Sequence, residues 1–275
     1  MLQRNIDEVM NIGNGVEWSM SIRDTAGREV ASCNAHRAMN TASVGKLLLL
    51  IEVARQRDEG GLSGATLLGR EPGRWVADSG VWQHLRVEAL AVDDLCVLVA
   101  SVSDNLATNV LLEHVGLPAV RELAATLGLV DTALLDRVRD HRGPNDPPTL
   151  STGSASEWSR VMSELSRNEL ISPALSAQVN AWLATGVDLS MVGSAFGLDP
   201  LAHGPSDGNI MIRNKTGAER GVRADVGSIS HDATCFCYAV IANWDGPDAS
   251  LRELALSGMN RVGAALRTFL DGAGR

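Results

Sequence analysis

The rhythm of apolar and polar positions changes twice along this chain. Near the N-terminus Val16-Glu17-Trp18-Ser19-Met20-Ser21-Ile22 alternates, Asp24-Thr25-Ala26-Gly27 carries turn chemistry, and Glu29-Val30-Ala31 resumes the alternation. That is the pattern of a β-hairpin. From Ser43 to about Gly60 the spacing turns helical: a long apolar run, then Arg55, Gln56, Arg57 and Asp58, then a Gly-Gly stop. Residues 92–101, 105–115, 118–127 and 155–167 predict further helices separated by short turns. Close to Asn209 alternation returns and predicts strands over Ile210–Asn214, Arg223–Ser230 and Thr234–Ala242. A closing helix is expected from about Ala249 to Leu270, and the one loop-like run is Arg142-Gly143-Pro144-Asn145-Asp146-Pro147-Pro148.

Strands at both ends with helices between them imply a nested fold. The expectation is an α/β (α+β) architecture: one antiparallel five-stranded sheet flanked by terminal helices, with an all-helical lobe inserted. The division this suggests is residues 1–40 with 205–275 for the sheet unit and 41–204 for the helical unit. A cleft between two such units is the default place for a site.

Composition narrows the partners. The 275 residues are 45% hydrophobic and 21% charged, an ordinary globular balance with ample core. The net charge of −9 and the absence of any basic run argue against nucleic acid. No apolar stretch approaches membrane-spanning length, so no membrane partner is expected. The first residues, Met1-Leu2-Gln3-Arg4-Asn5-Ile6-Asp7-Glu8, hold no apolar core of a secretory signal, which predicts a cytoplasmic location. Cys33, Cys96, Cys235 and Cys237 lack metal-like spacing, and the six histidines are scattered. Free thiols in a reducing compartment, with no metal and no cofactor, are the expectation.

Lysine usage points to the chemistry. Of 24 basic residues only Lys46 and Lys215 are lysine. A chain drifted so far toward Arg keeps Lys mainly where Arg would fail, because Lys is a compact charge that can lose its proton when buried or crowded by cations. The contexts are Ser43-Val44-Gly45-Lys46 and Lys215-Thr216-Gly217, with Ser103-Asp104-Asn105 between them. Each has a bland reading alone: a helix start, a strand end and an N-cap. In order, and at a helix start, a helix–helix loop and a sheet strand, they compose the S-x-x-K, S-D-N and K-T-G set of penicillin-interacting serine enzymes. Ser43 at a helix N-terminus would aim its hydroxyl into the cleft and leave its N–H free for an oxyanion. Lys46, one turn on, would lie within reach of that hydroxyl and take its proton if neighbouring cations depress its pKa. Ser103 can relay a proton to a leaving amine. Lys215 would hold Lys46 neutral and attract an anionic substrate.

These motifs resemble the class A β-lactamase family, and more broadly the penicillin-binding serine acyltransferases, over nearly the whole chain. Ser103-Asp104-Asn105-Leu106-Ala107-Thr108-Asn109-Val110-Leu111-Leu112 is similar to that family's S-D-N-x-A-x-N-x-L-L segment, and Lys215 to Arg223 resembles its K-[ST]-G-A…E-R-G-x-R segment. The resemblance implies Ser43 as acylated nucleophile and the N–H groups of Ser43 and Ala218 as oxyanion hole. It puts Thr216 and Arg223 on a substrate carboxylate and Asn105 on the substrate amide, with Gly217 beside them. Families with Tyr-x-Asn as second motif fit poorly, since the only tyrosine, Tyr238, is followed by Ala239-Val240.

One departure matters. The family carries E-x-x-L-N after a Leu-Asp-Arg-like segment, and that Glu activates the deacylating water. Here Leu135-Asp136-Arg137 is present, but an ungapped reading puts Arg139 at the Glu position and Gly143 at the Asn position. Guanidinium cannot act as a base, and losing a general base costs ~10²–10⁴-fold. Asp140, His141 and Asp146 stay open as replacements, and Arg139, if it points into the cleft, would push Lys46 further down. Three readings follow. One is a serine hydrolase acting on a carboxylate-bearing lactam, amide or ester, with slow β-lactam turnover and Lys46 serving both half-reactions. The others are an acyl-trapping or ligand-binding protein and a D-Ala carboxypeptidase-like enzyme.

Overall fold

The computed structural model describes residues 2–10, 15–71, 76, 78–202 and 209–273. Its framework is one antiparallel sheet. We number the strands β1 (Glu17–Arg23), β2 (Glu29–Cys33), β3 (Ile210–Glu219), β4 (Val222–His231) and β5 (Thr234–Asn243). Their order is β2-β1-β5-β4-β3, so the hairpin from one end of the chain joins the meander from the other through the β1–β5 pair. That pair runs from Glu17 opposite Asn243 to Arg23 opposite Cys237.

Both sheet faces are covered, and the side-chain alternation of β5 shows how. Tyr238, Val240 and Ala242 enter one core with Ile6 and Val9 of α1 (Leu2–Met10) and Met259, Val262 and Leu266 of α8 (Ala249–Ala273). Cys237, Ala239 and Ile241 enter the other core with the helices of the inserted segment. A strand buried on both faces reads as a continuous apolar run, as Tyr238 to Ala242 does.

The inserted segment is built around α2 (Lys46–Asp58), whose residues from Lys46 to Ala54 are all buried. A helix apolar on every side belongs inside a bundle. Around it lie α3 (Val92–Val102), α4 (Asn105–Val115), α5 (Leu117–Thr126), α6 (Ala155–Ser166) and α7 (Pro173–Leu183). The pattern did not predict α7, although Ser172 caps it by accepting from Leu175 N at 3.0 Å and Pro173 opens its first turn. Two parts of the inserted segment pack directly on the sheet. Ser159 of α6 meets Ser21 of β1 at 2.7 Å, and Val192 and Phe196 of a short 3₁₀ turn join the α1–α8 core. The expected boundary at 204/205 lies outside the described residues. Strand β3 is longer than predicted and carries Lys215-Thr216-Gly217 within it. No described helix is long and apolar enough to cross a membrane, and the four cysteines are free.

Candidate active site

Ser43 is presented by a short 3₁₀ turn, Ala42–Gly45, that runs straight into α2. The turn is entered through Ala42 at φ 47°, a left-handed conformation that a non-glycine residue adopts at a cost of about 1–3 kcal/mol. Ser151, on the short strand Ser151–Gly153, holds it there: its Oγ lies 2.6 Å from Ala42 O and 2.7 Å from Thr41 Oγ1. Gly45 has no room for a side chain, because a Cβ there would sit 2.3 Å from Ser151 Cβ. Strand β3 closes on the same turn. A Cβ on Gly217 would lie 2.2 Å from Thr41 O and 3.1 Å from Ser43 N, so this glycine lets the strand approach the backbone that carries Ser43.

A cavity of about 220 Å³ opens between the turn, the α3–α4 junction and β3. Ser43, Ser103, Lys215, Thr216 and Ala218 line it, together with Asp188 from the loop after α7. The structure therefore brings four of the sequence-predicted residues and the expected oxyanion partner Ala218 to one surface. Lys46 lies behind that surface, fully buried. Its Nζ is 2.6 Å from Ser103 O, 3.1 Å from Ser103 Oγ and 2.7 Å from Asn105 Oδ1. Among the described residues it makes no hydrogen bond to Ser43, the neighbour that helical spacing alone suggested. Ser103 reaches it from a left-handed position, φ 56°, at the end of α3, which turns both its carbonyl and its hydroxyl to Nζ. Asp104 fixes the junction by capping α4 at Ala107 N and accepting from Val81 N and Trp82 N.

The electrostatics separate the two lysines. Burial, then the nearby charge of Lys215, holds Lys46 well below the usual ammonium range, and Asp104 opposes them. Lys215 is lowered less, to about 8: burial pulls it down while Asp188 and Asp225 support its charge. Asp225 lies fully buried on β4 and accepts from Asn214 Nδ2, Tyr238 Oη and Val192 N. Burial pushes its carboxyl up to about 7.

Three expected residues sit elsewhere. Arg223 is absent from the cavity lining; its Nη1 donates to Glu219 O at 3.0 Å and Val222 O at 2.7 Å, and its guanidinium lies 5.9 Å over Trp244. Asn105 is buried behind the cavity, its Oδ1 turned to Lys46. Arg139 does not point at the cleft. Its Nε pairs with Asp136 at 2.7 Å and its Nη2 with Asp146 at 3.2 Å, and Arg142 Nη1 meets Asp136 at 2.5 Å. Its charge is absorbed within the loop and takes no part in the depression of Lys46. Asp140 and His141 line a separate, larger cavity beside Arg139, and Asp146 is held by Arg139 and Gly143 N. None of these three open candidates lines the cavity with Ser43.

Asp188, Asn214 and Asp225 were not singled out from the sequence. Asp188 lies in Thr185-Gly186-Val187-Asp188, a loop with no recognisable motif. Only the tertiary fold carries it to Thr216.

The model of the beta-lactamase enzyme family matches residues 1–267 of the chain. No curated protein sequence matches it. Among solved structures the chain is similar to a beta-lactamase from Sphaerobacter thermophilus at 24% identity, with a TM-score of 0.83 over 98% of this chain and 97% of that one. It is similar to PBP-A at 17% identity, TM-score 0.82, over 98% and 96%. An ancestral class A beta-lactamase aligns at 21% identity, TM-score 0.80, over 98% and 99%.

Proposed function

The chain belongs to the beta-lactamase enzyme family, and on that premise we propose that it is a serine hydrolase forming an acyl-enzyme on Ser43. The observation that carries this reading is the buried Lys46 between Ser103 and Asn105, one surface behind Ser43. A neutral amine has two N–H donors and one lone pair. Ser103 O and Asn105 Oδ1 can only accept, so they take the donors at 2.6 and 2.7 Å. The lone pair then faces the Ser103 hydroxyl at 3.1 Å. Ser103 thus connects the base to the cavity.

In the proposed reaction Ser43 Oγ attacks the acyl carbonyl, and its proton passes through Ser103 Oγ to Lys46. The N–H groups of Ser43 and Ala218 stabilise the tetrahedral oxyanion. The acyl–N or acyl–O bond then breaks, and the leaving atom takes a proton from Ser103, which Lys46 replenishes. Water finally hydrolyses the ester. Among the described residues lining the cavity, Asp188 is the only carboxylate, and it is engaged with Thr216 and Ser190. Lys46 is left to serve both half-reactions, so deacylation is the slow step. The acyl-trapping reading is the limit in which that step stops. The substrate is a lactam, amide or ester. Its expected carboxylate is not retained in this reading, because Thr216 Oγ1 already donates to Asp188 at 2.7 Å. The four free thiols support a reducing, cytoplasmic setting.

The test is intact-protein mass after exposure to p-nitrophenyl acetate and to benzylpenicillin. We expect one adduct per chain that is lost in Ser43→Ala. Full labelling of Ser43→Ala would remove Ser43 from its role.

A further inference from the structure

Asp188 stands where the resemblance put a ligand. Thr216 Oγ1, the hydroxyl assigned to a substrate carboxylate, donates to Asp188 Oδ2 at 2.7 Å. The aspartate is not a loose side chain that swung in. Its Oδ1 accepts from Ser190 Oγ at 2.6 Å and Ser190 N at 3.1 Å, and its backbone oxygen accepts from Asn214 Nδ2 at 3.2 Å. Val187 N donates to Ser101 O at 3.2 Å, tying the loop across the cavity to α3. Burial alone would raise the Asp188 carboxyl, but Ser190, Thr216 and the Lys215 charge together bring it below its ordinary value, so it is ionised near neutral pH.

The cations around it are accounted for. Lys215 is balanced by Asp188 and Asp225, Lys46 is depressed, and Arg223 is held over Trp244 by two hydrogen bonds to backbone oxygens. An incoming carboxylate would meet an existing carboxylate, with no uncommitted hydroxyl donor at Thr216.

We propose that Asp188 is a built-in anion filling the Thr216 end of the cavity, so that the chain selects acyl donors that are uncharged there and discriminates against those bearing a carboxylate. The proposal rests on the reading of Ser43 as the acylated residue. Like charges a few ångströms apart in a partly desolvated cavity repel by several times thermal energy, which sets the expected discrimination at about tenfold or more.

Benzylpenicillin and its methyl ester differ only in that carboxylate. Second-order acylation rates for the pair are measured by intact mass on the unmodified protein and on Asp188→Asn. We expect the methyl ester to react at least about tenfold faster with the unmodified protein. Measured on the acid side of the Lys215 limb near 8, where Lys215 stays charged in both proteins, Asp188→Asn should raise the benzylpenicillin rate by about tenfold or more and change the methyl-ester rate by less than about threefold. A preference of the unmodified protein for benzylpenicillin, or an unchanged ratio in Asp188→Asn, would overturn the proposal. Binding of the same pair to Ser43→Ala, with and without Asp188→Asn, is followed by ligand-observed NMR and needs no acylation. If neither compound labels the protein but the ester binds tighter and Asp188→Asn removes that preference, acylation fails and the anion assignment stands. Equal binding, tighter binding of benzylpenicillin, or no binding of either at millimolar concentration overturns it.

Discussion

Gly217→Ala tests the geometry on which the catalytic reading depends. A Cβ at this position would lie 2.2 Å from Thr41 O, 3.0 Å from Val44 N and 3.1 Å from Ser43 N. All three are backbone atoms, so no side chain can rotate away. Reaching ordinary contact with Thr41 O requires β3 and the 3₁₀ turn to separate by roughly 1 Å, an overpacking cost of about 1–3 kcal/mol. For a chain of this size that corresponds to a fall of about 2–10 °C in Tm. The functional loss should be larger than the stability loss. The gap that widens lies between the turn carrying Ser43 and the strand carrying Ala218, whose N–H groups form the proposed oxyanion hole. A displacement near 1 Å at reacting groups costs on the order of 10²-fold. Thermal melts and the acylation rate with p-nitrophenyl acetate are read on the same preparation. A folded Gly217→Ala protein that acylates at the unmodified rate would refute the oxyanion assignment.

Lys46→Arg replaces an amine that can take up a proton with a guanidinium that stays charged and cannot; acylation should fall by about 10²–10⁴-fold, and a near-normal rate would show that Lys46 is not the base. The pH profile of acylation should fall above about 8, because Lys215, which lines the cavity with Ser43 and Ala218, then loses the positive charge that favours the developing oxyanion. Because Asp188 supports that charge, Asp188→Asn should move the alkaline limb to lower pH, and an unmoved limb would break the link. Arg139→Glu should not restore fast deacylation: it sets a third carboxylate against Asp136 and Asp146, so Tm should drop while steady-state turnover stays slow. Faster turnover there would return Arg139 to the cleft.

The alternation around Trp18 and the apolar run through Tyr238 were enough to predict the hairpin, the later strands and the five-stranded sheet, because a strand buried on one face is written at a period of two and one buried on both as a continuous apolar run. The long apolar run after Lys46 likewise marked the central helix. The candidate site was picked out through its lysines, since the chain's strong drift to Arg isolates Lys46 and Lys215. What escaped depends on tertiary placement. No local pattern foretells that Ala42 and Ser103 adopt left-handed backbone, or that Ser103 and not Ser43 faces Lys46. Charge counting along the loop could not show that Asp136 and Asp146 capture Arg139. Asp188 is an unremarkable loop acid in sequence and acquires its meaning from the 2.7 Å contact with Thr216.

The central claim is a Ser43 acyl-enzyme that forms readily and hydrolyses slowly. Stopped-flow mixing of the unmodified protein with excess p-nitrophenyl acetate tests it most directly. The account predicts a burst approaching one nitrophenolate per chain, then a steady state slower by about 10²-fold or more, with the adduct mapping to the peptide that contains Ser43. Linear release from the first turnover, with no adduct accumulating, would contradict it.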